Sequence, residues 1–233
     1  MQAVRIDEID VLRGIAVILM IIFHTVFDLA YFYNWQLDYL TGFWYYQGKA
    51  SAVLFMLVSG ISSHLSRNPV RRGFLVLGAG LLITAITYLA SPAVYIRFGI
   101  LHLLGVGMIC TPLLARLSSL LLMLTGTLLL ALNNVLAAFT VTTSVFIPVG
   151  LIPPEFSSLD YYPIIPWLGV VVYGMTAGRL LYRRKRPLWP QLSKQAGIQP
   201  LTWLGRRSLF LYLMHQPLIL TVLYAIHKLF FPN

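Results

Sequence analysis

The chain has 233 residues, 58% of them hydrophobic and 10% charged, and a soluble domain of that length needs roughly twice the charge to cover its surface. Its apolar residues come in long runs rather than stripes, so a single all-α membrane domain over residues 1–233 is the expected fold. The net charge of +10 in such a chain reports orientation rather than nucleic acid, and the lone Cys110 excludes a disulfide framework or a cysteine metal site.

A span takes about 20 apolar residues, and seven candidates follow in chain order. The first runs from about Val11 to Tyr33. No small-residue cleavage site follows it, so it reads as a retained helix rather than a signal peptide. It carries Asp10, Arg13, His24 and Asp28, and each ionisable group inside a span requires a partner or a purpose. Arg13 and His24 are eleven steps apart, which returns them to within about 20° of one azimuth and about 16 Å apart along the axis. Asp28 lies one turn beyond His24, close enough in sequence for an i, i+4 pair. The pattern is a polar line facing the bundle interior. A histidine beside a carboxylate suits a general base, because the carboxylate fixes the tautomer and stabilises the imidazolium. A buried ion pair that locks this helix to a neighbour is the competing reading.

A polar connection with Asn34, Gln36 and Asp38 leads to the second span, about Phe43 to His64. It holds Lys49 near one end and a patch of Ser59, Gly60, Ser62 and Ser63, where close helix packing is the commoner explanation. Arg67, Arg71 and Arg72 precede the third span, Gly73 to Leu89. The fourth, Phe98 to Leu114, opens with His102 just after Arg97; a histidine bonded to the backbone competes there with a functional one. The fifth covers Ser118 to about Ala137. A long connection from about Ala138 to Pro163 follows, with Pro148, Pro153, Pro154, Glu155 and Asp160. Connections of that length are usually functional or disordered, and its apolar content favours a segment packed on or dipping into the outer face. The sixth span is Ile164 to Tyr182. A basic run and a polar linker around Pro187 to Pro200 precede the last, about Leu204 to Phe230. There Ser208, Tyr212 and His215 share one face, and Pro217 frees the carbonyl of Leu213.

With the N-terminus inside, fourteen of the seventeen Lys and Arg residues face the cytoplasm, Arg5 and Lys194 among them, and only Lys49, Arg97 and Lys228 lie outside. An odd helix count then puts the C-terminus outside. No internal repeat of the inverted-transporter kind is visible. His24 and Asp28 lack a third ligand, so no metal is expected. There is no glycine-rich nucleotide loop and no Gly-x-Ser-x-Gly elbow.

Several segments carry a resemblance. Arg5-Ile6-Asp7 through Asp10-Val11-Leu12-Arg13-Gly14, then His24-Thr25-Val26-Phe27-Asp28-Leu29, resembles the start of a bacterial membrane family related to the catalytic domain of heparan-alpha-glucosaminide N-acetyltransferase. So do Leu54-Phe55 with Ser59-Gly60-Ile61-Ser62, and Phe98-Gly99-Ile100-Leu101-His102. Asp160-Tyr161-Tyr162-Pro163 with Pro166-Trp167-Leu168-Gly169 resembles its outer-loop motif. Leu204-Gly205-Arg206-Arg207-Ser208-Leu209 with Tyr212, His215, Gln216 and Pro217 resembles its last helix. The likeness runs from residue 5 to residue 217. The Arg13-to-His24 spacing is also similar to the Arg-x10-His signature of the transmembrane acyltransferase superfamily. The resemblance implies transfer of an acyl group from cytoplasmic acyl-CoA to a glycan across the membrane, with Arg13 and His24 functional. The animal heparan enzyme lacks a histidine at the place of His24, so the likeness implies the chemistry and not the acceptor.

The expectation is therefore an acyl-CoA-dependent membrane acetyltransferase with acetyl-CoA as donor, multi-pass in the inner (plasma) membrane. Arg13, Arg67, Arg71, Arg72 and Arg206 would hold the donor's phosphates. His24, oriented by Asp28, would be the general base. Lys49, His102, Asp160, Tyr162, Trp167 and His215 would contribute to the acceptor site. Membrane lipids, acyl-CoA and a glycan or lipid-linked acceptor are the expected partners; nucleic acid is not, and a homo-oligomeric state is left open. A small-solute carrier or channel using the Asp10, Arg13, His24 and Asp28 line is the alternative, and a structural membrane partner the third.

Overall fold

The computed structural model of the chain describes residues 6–192 and 195–230. The orientation argument's Arg5 and Lys194, and the C-terminal Asn233, lie outside the described residues. Among the described residues the fold is all helical, with one isolated parallel bridge between Phe98 and Tyr161 and no strand. The helices are α1 (Asp7–Tyr33), α2 (Gly42–Leu65), α3 (Pro69–Ala90), α4 (Ile100–Leu114), α5 (Ser119–Leu136), α6 (Ile164–Leu181), α7 (Gln199–Arg206) and α8 (Ser208–Phe230).

Five of these, α1, α3, α5, α6 and α8, are long and apolar enough to cross a bilayer. The other two expected crossings differ in kind. α4 has 15 residues, about 22 Å of helix against a hydrocarbon core of about 30 Å. Its buried face, Ile100 to Gly105 with Gly107 and Thr111, is covered by protein rather than lipid. α2 has the length, with 24 residues, but Gln47, Lys49, Ser51, Ser59, Ser62 and Ser63 interrupt its apolar character. The four serines are buried, which lipid exposure would not allow without partners. The last expected helix also divides. Backbone angles at Arg207 leave the helical range, so the Leu204 end belongs to the short α7 and the spanning part begins at Ser208.

The chain forms two compact units. The first comprises residues 1–55 and 189–233 and holds α1, the N-terminal half of α2, α7 and α8. Here α7 lies against α1 with almost no space between backbones. A Cβ on Gly14 would fall 2.2 Å from the carbonyl oxygen of Leu201, and one on Gly205 would fall 1.8 Å from that of Asp10. Only a hydrogen fits at either place. α2 is tied to α1 by polar side chains on backbone: Gln47 Nε2 donates to Leu19 O at 2.7 Å and Ser51 Oγ to Ala16 O at 3.0 Å. Before α2, Asp38 Oδ1 accepts the amides of Leu40 and Thr41, each at 3.0 Å. The Thr41 hydroxyl first, then these amides, hold its carboxyl below the usual carboxylate range.

The second unit, residues 56–188, pairs α3 with α4 and α5 with α6. The C-terminal half of α2 meets α6 at Gly60, whose Cβ would fall 2.1 Å from Val171 O. That is the packing explanation for the small-residue patch. Arg179 on α6 closes the turn between α4 and α5, donating to the carbonyls of Leu117 at 2.5 Å and Ala115 at 2.8 Å.

Candidate functional site

In the first unit the polar line of α1 meets α8. His24 and His215 stand with ring centroids 4.6 Å apart, edge to face. His24 Nδ1 lies 2.9 Å from Met20 O, and His215 Nδ1 lies 2.5 Å from Tyr212 O. A carbonyl only accepts, so both Nδ1 atoms carry the proton and both Nε2 atoms are bare acceptors. The expected contact between His24 and Asp28 is corrected here. Helical side chains lean toward the N-terminus, so His24 reaches back to the carbonyl of Met20, which sets its tautomer. Asp28 makes its own hydrogen bond elsewhere. Its Oδ1 accepts from Gln216 Nε2 at 2.6 Å across the α1–α8 seam.

Asp28 is fully buried and His215 nearly so. Asp28 Oδ2, Gln216 Oε1 and His215 Nε2 are buried with no hydrogen-bond partner. All three are acceptors, as is His24 Nε2. Buried polar atoms left unpaired are rare and usually explained by a missing ligand or water. What completes this set has to bring hydrogen-bond donors, as a hydroxyl or an amine does. Gln216 is the residue that sequence reasoning used only as part of a motif. An amide in an apolar helix was the available signal, since it requires a partner there.

Toward the other end of α1 the charges are already paired. Arg13 Nη1 binds Asp10 Oδ1 at 2.8 Å. Arg206, carried by α7, lies 3.0 Å from Asp7 and 3.6 Å from Asp10. The structure thus brings together two of the five expected donor-site arginines, with two acids between them. Arg67, Arg71 and Arg72 are exposed residues of the second unit, at the turn before α3 and in its first turn. Lys49 lies on α2 with Nζ 5.5 Å from the Tyr45 ring centroid.

The remaining acceptor-site candidates belong to the second unit. His102 is satisfied at both nitrogens: Nδ1 accepts from Gly99 N at 3.2 Å, so Nε2 carries the proton, and it lies 3.2 Å from Thr84 Oγ1. Asp160 Oδ2 accepts from Ile100 N at 2.9 Å and so caps α4. These bonds give both residues a structural task. Tyr162 and Trp167 do come together, with ring centroids 5.2 Å apart. Just before them in sequence, Tyr161 donates its hydroxyl to Ile147 O at 2.8 Å. Burial pushes that hydroxyl up to about 12, so it stays a donor. Among the described residues no cluster of three or more His, Cys, Asp or Glu could hold a metal ion.

Residues 5–217 match the family model described as heparan-alpha-glucosaminide N-acetyltransferase, catalytic. No curated protein and no solved structure gave a match.

Proposed function

Because the chain belongs to the heparan-alpha-glucosaminide N-acetyltransferase catalytic family, we propose that it carries an acetyl group from cytoplasmic acetyl-CoA to a hydroxyl or amine of an acceptor at the outer face. The observation that carries this reading is the pair of imidazoles with bare Nε2 atoms beside the buried Asp28–Gln216 bond. His24 Nε2 removes the proton of the acceptor as its lone pair attacks the thioester carbonyl. The C–S bond then breaks and CoA leaves as the thiolate, which takes up the proton held by the His24 imidazolium and returns the ring to its neutral form. Asp28 Oδ2, Gln216 Oε1 and His215 Nε2 hold the acceptor's other donors. Arg13 and Arg206 bind the donor's phosphates once these compete with Asp10 and Asp7, with Arg67, Arg71 and Arg72 adding long-range attraction. Tyr162 and Trp167, paired within the second unit, offer an aromatic face that suits a sugar; His102 and Asp160 of that unit and, in the first unit, Lys49 stay acceptor-site candidates. The chain is oriented with its N-terminus inside and crosses the inner membrane seven times, α2 and α4 completing the five longer apolar helices.

His24→Ala is the test. Losing a general base lowers the rate by about 10²–10⁴-fold, read as transfer of labelled acetyl from acetyl-CoA to membrane glycans. CoA affinity should be unchanged, since His24 stands about 16 Å along the helix from Arg13. In the wild type the rate should rise with pH as the imidazole loses its proton, and this titration should vanish in the variant. A folded His24→Ala protein that acetylates at the wild-type rate would remove the mechanism. Solute flux without acyl-CoA and without acetylated product would instead establish a carrier.

A further inference from the structure

Arg97 stands between α3 and α4, fixed from both sides by backbone bonds. Its own amide donates to Ser158 Oγ at 3.4 Å. Around it Leu159 N donates to Val94 O and Tyr162 N to Phe98 O, each at 3.0 Å. Ser158 Oγ in turn lies 3.1 Å from Tyr95 O and 2.9 Å from Asp160 O. The guanidinium carbon sits over two rings, 5.0 Å from the Tyr95 centroid and 5.5 Å from that of Phe156. Ring faces attract the charge, but they offer no lone pair to the N–H groups.

Arg97 Nε is buried with no hydrogen-bond partner, and among the described residues Arg97 forms no ion pair. Two acids lie in the segment that packs against it. Glu155 is exposed, and Asp160 turns its Oδ2 to the Ile100 amide. A half-buried guanidinium held this firmly, with its Nε left without an acceptor among the described residues, is incomplete. Its Nε and Nη edge is a planar fork that matches an oxyanion through two parallel bonds. We propose that Arg97 is an oxyanion site, binding a phosphate or carboxylate group through Nε and Nη while Tyr95 and Phe156 hold the cation in place. The group comes either from a lipid headgroup or from a soluble molecule. The proposal does not depend on the transfer reaction.

The test uses the full chain, with Arg97→Gln and Arg97→Lys, in two arms. In lipid-free detergent, inorganic phosphate is titrated against chloride at matched ionic strength, reading the thermal midpoint. In nanodiscs of phosphatidylcholine, with or without an equal part of phosphatidylglycerol, native mass spectrometry reads retained phosphatidylglycerol. The wild type should bind in at least one arm. Arg97→Gln should weaken that binding roughly 10–100-fold, as for losing charge-assisted hydrogen bonds. Arg97→Lys should keep part of it. A phosphate response in detergent marks a soluble ligand, and a difference confined to nanodiscs marks the lipid. Wild-type protein that binds neither probe, or Arg97→Gln that binds as the wild type does, would overturn the site and leave Arg97 a packing cation.

Discussion

Both imidazoles of the α1–α8 pair donate from Nδ1 to a carbonyl of their own helix, so each keeps the same nitrogen, Nε2, as its basic atom. That shared posture ties helix geometry to reactivity, because the tautomer is set by backbone and not by a neighbouring acid. His24 and Asp28 were legible in the sequence, since an ionisable group stands out in an apolar run. Their relation was not. An i, i+4 spacing places two residues on one face but does not say that side chains leaning toward the N-terminus will meet. Asp28 takes its hydrogen bond from Gln216 instead, 188 residues away, which no local spacing could reveal. Gln216→Leu should therefore lower the unfolding midpoint by the equivalent of about 1.5–3 kcal/mol, because a buried carboxyl loses its one donor. The double variant Asp28→Leu, Gln216→Leu should regain part of that stability, since removing both partners removes the unpaired group. Thermal unfolding in detergent reads both, and additive losses in the double variant would refute the pairing.

At the level of elements, α7 explains why the charges near Asp10 are arranged as they are. It is short, and it holds its place because Gly14 and Gly205 let its backbone touch α1. That contact delivers Arg206 to Asp7 and Asp10. Gly205→Ala should push α7 outward and destabilise the first unit by about 1–3 kcal/mol, the ordinary effect of overpacking. Gly197→Ala, where an added Cβ meets open space, is the control and should change little. Equal unfolding midpoints for the two variants would mean that the α1–α7 contact is not tight. The sequence showed α1, α3, α5 and α6 almost to the turn, because lipid-facing helices must be long and apolar. It ran α7 and α8 together, since both are helical and only the backbone at Arg207 separates them. It also treated α2 and α4 as ordinary spans. Hydropathy does not distinguish a helix covered by protein from one covered by lipid.

For the whole molecule, the basic residues decide the orientation proposed above. Arg116 and the run Arg183, Arg184, Lys185 and Arg186 fall at helix ends that the positive-inside bias assigns to the cytoplasm. A reporter fused after Arg186 should read cytoplasmic and one after Asn233 external. Both reading cytoplasmic would make the number of crossings between those points even and exclude seven. The wide apolar surfaces of α3, α5 and α8, including Leu75, Leu89, Leu120, Leu128 and Phe210, are the surfaces that such a topology turns toward acyl chains.

α8 has a further consequence through its length. It has 23 residues, about 34 Å of helix, and only 6% of its most apolar stretch is buried by protein, against 39% for α6. A helix clasped so little by its neighbours settles its tilt with the bilayer, and it tilts more as the hydrocarbon layer thins. His215 and Gln216 ride on it, while His24 and Asp28 ride on α1. Membrane thickness therefore becomes a control on the site: a change in α8 tilt shifts one half of the paired imidazoles against the other. Reconstituted in phosphatidylcholines of graded acyl length, the protein should show a rate maximum at one thickness, with acetyl-CoA affinity flat across the series. A rate independent of chain length would show that α8 is anchored more firmly than its exposure implies.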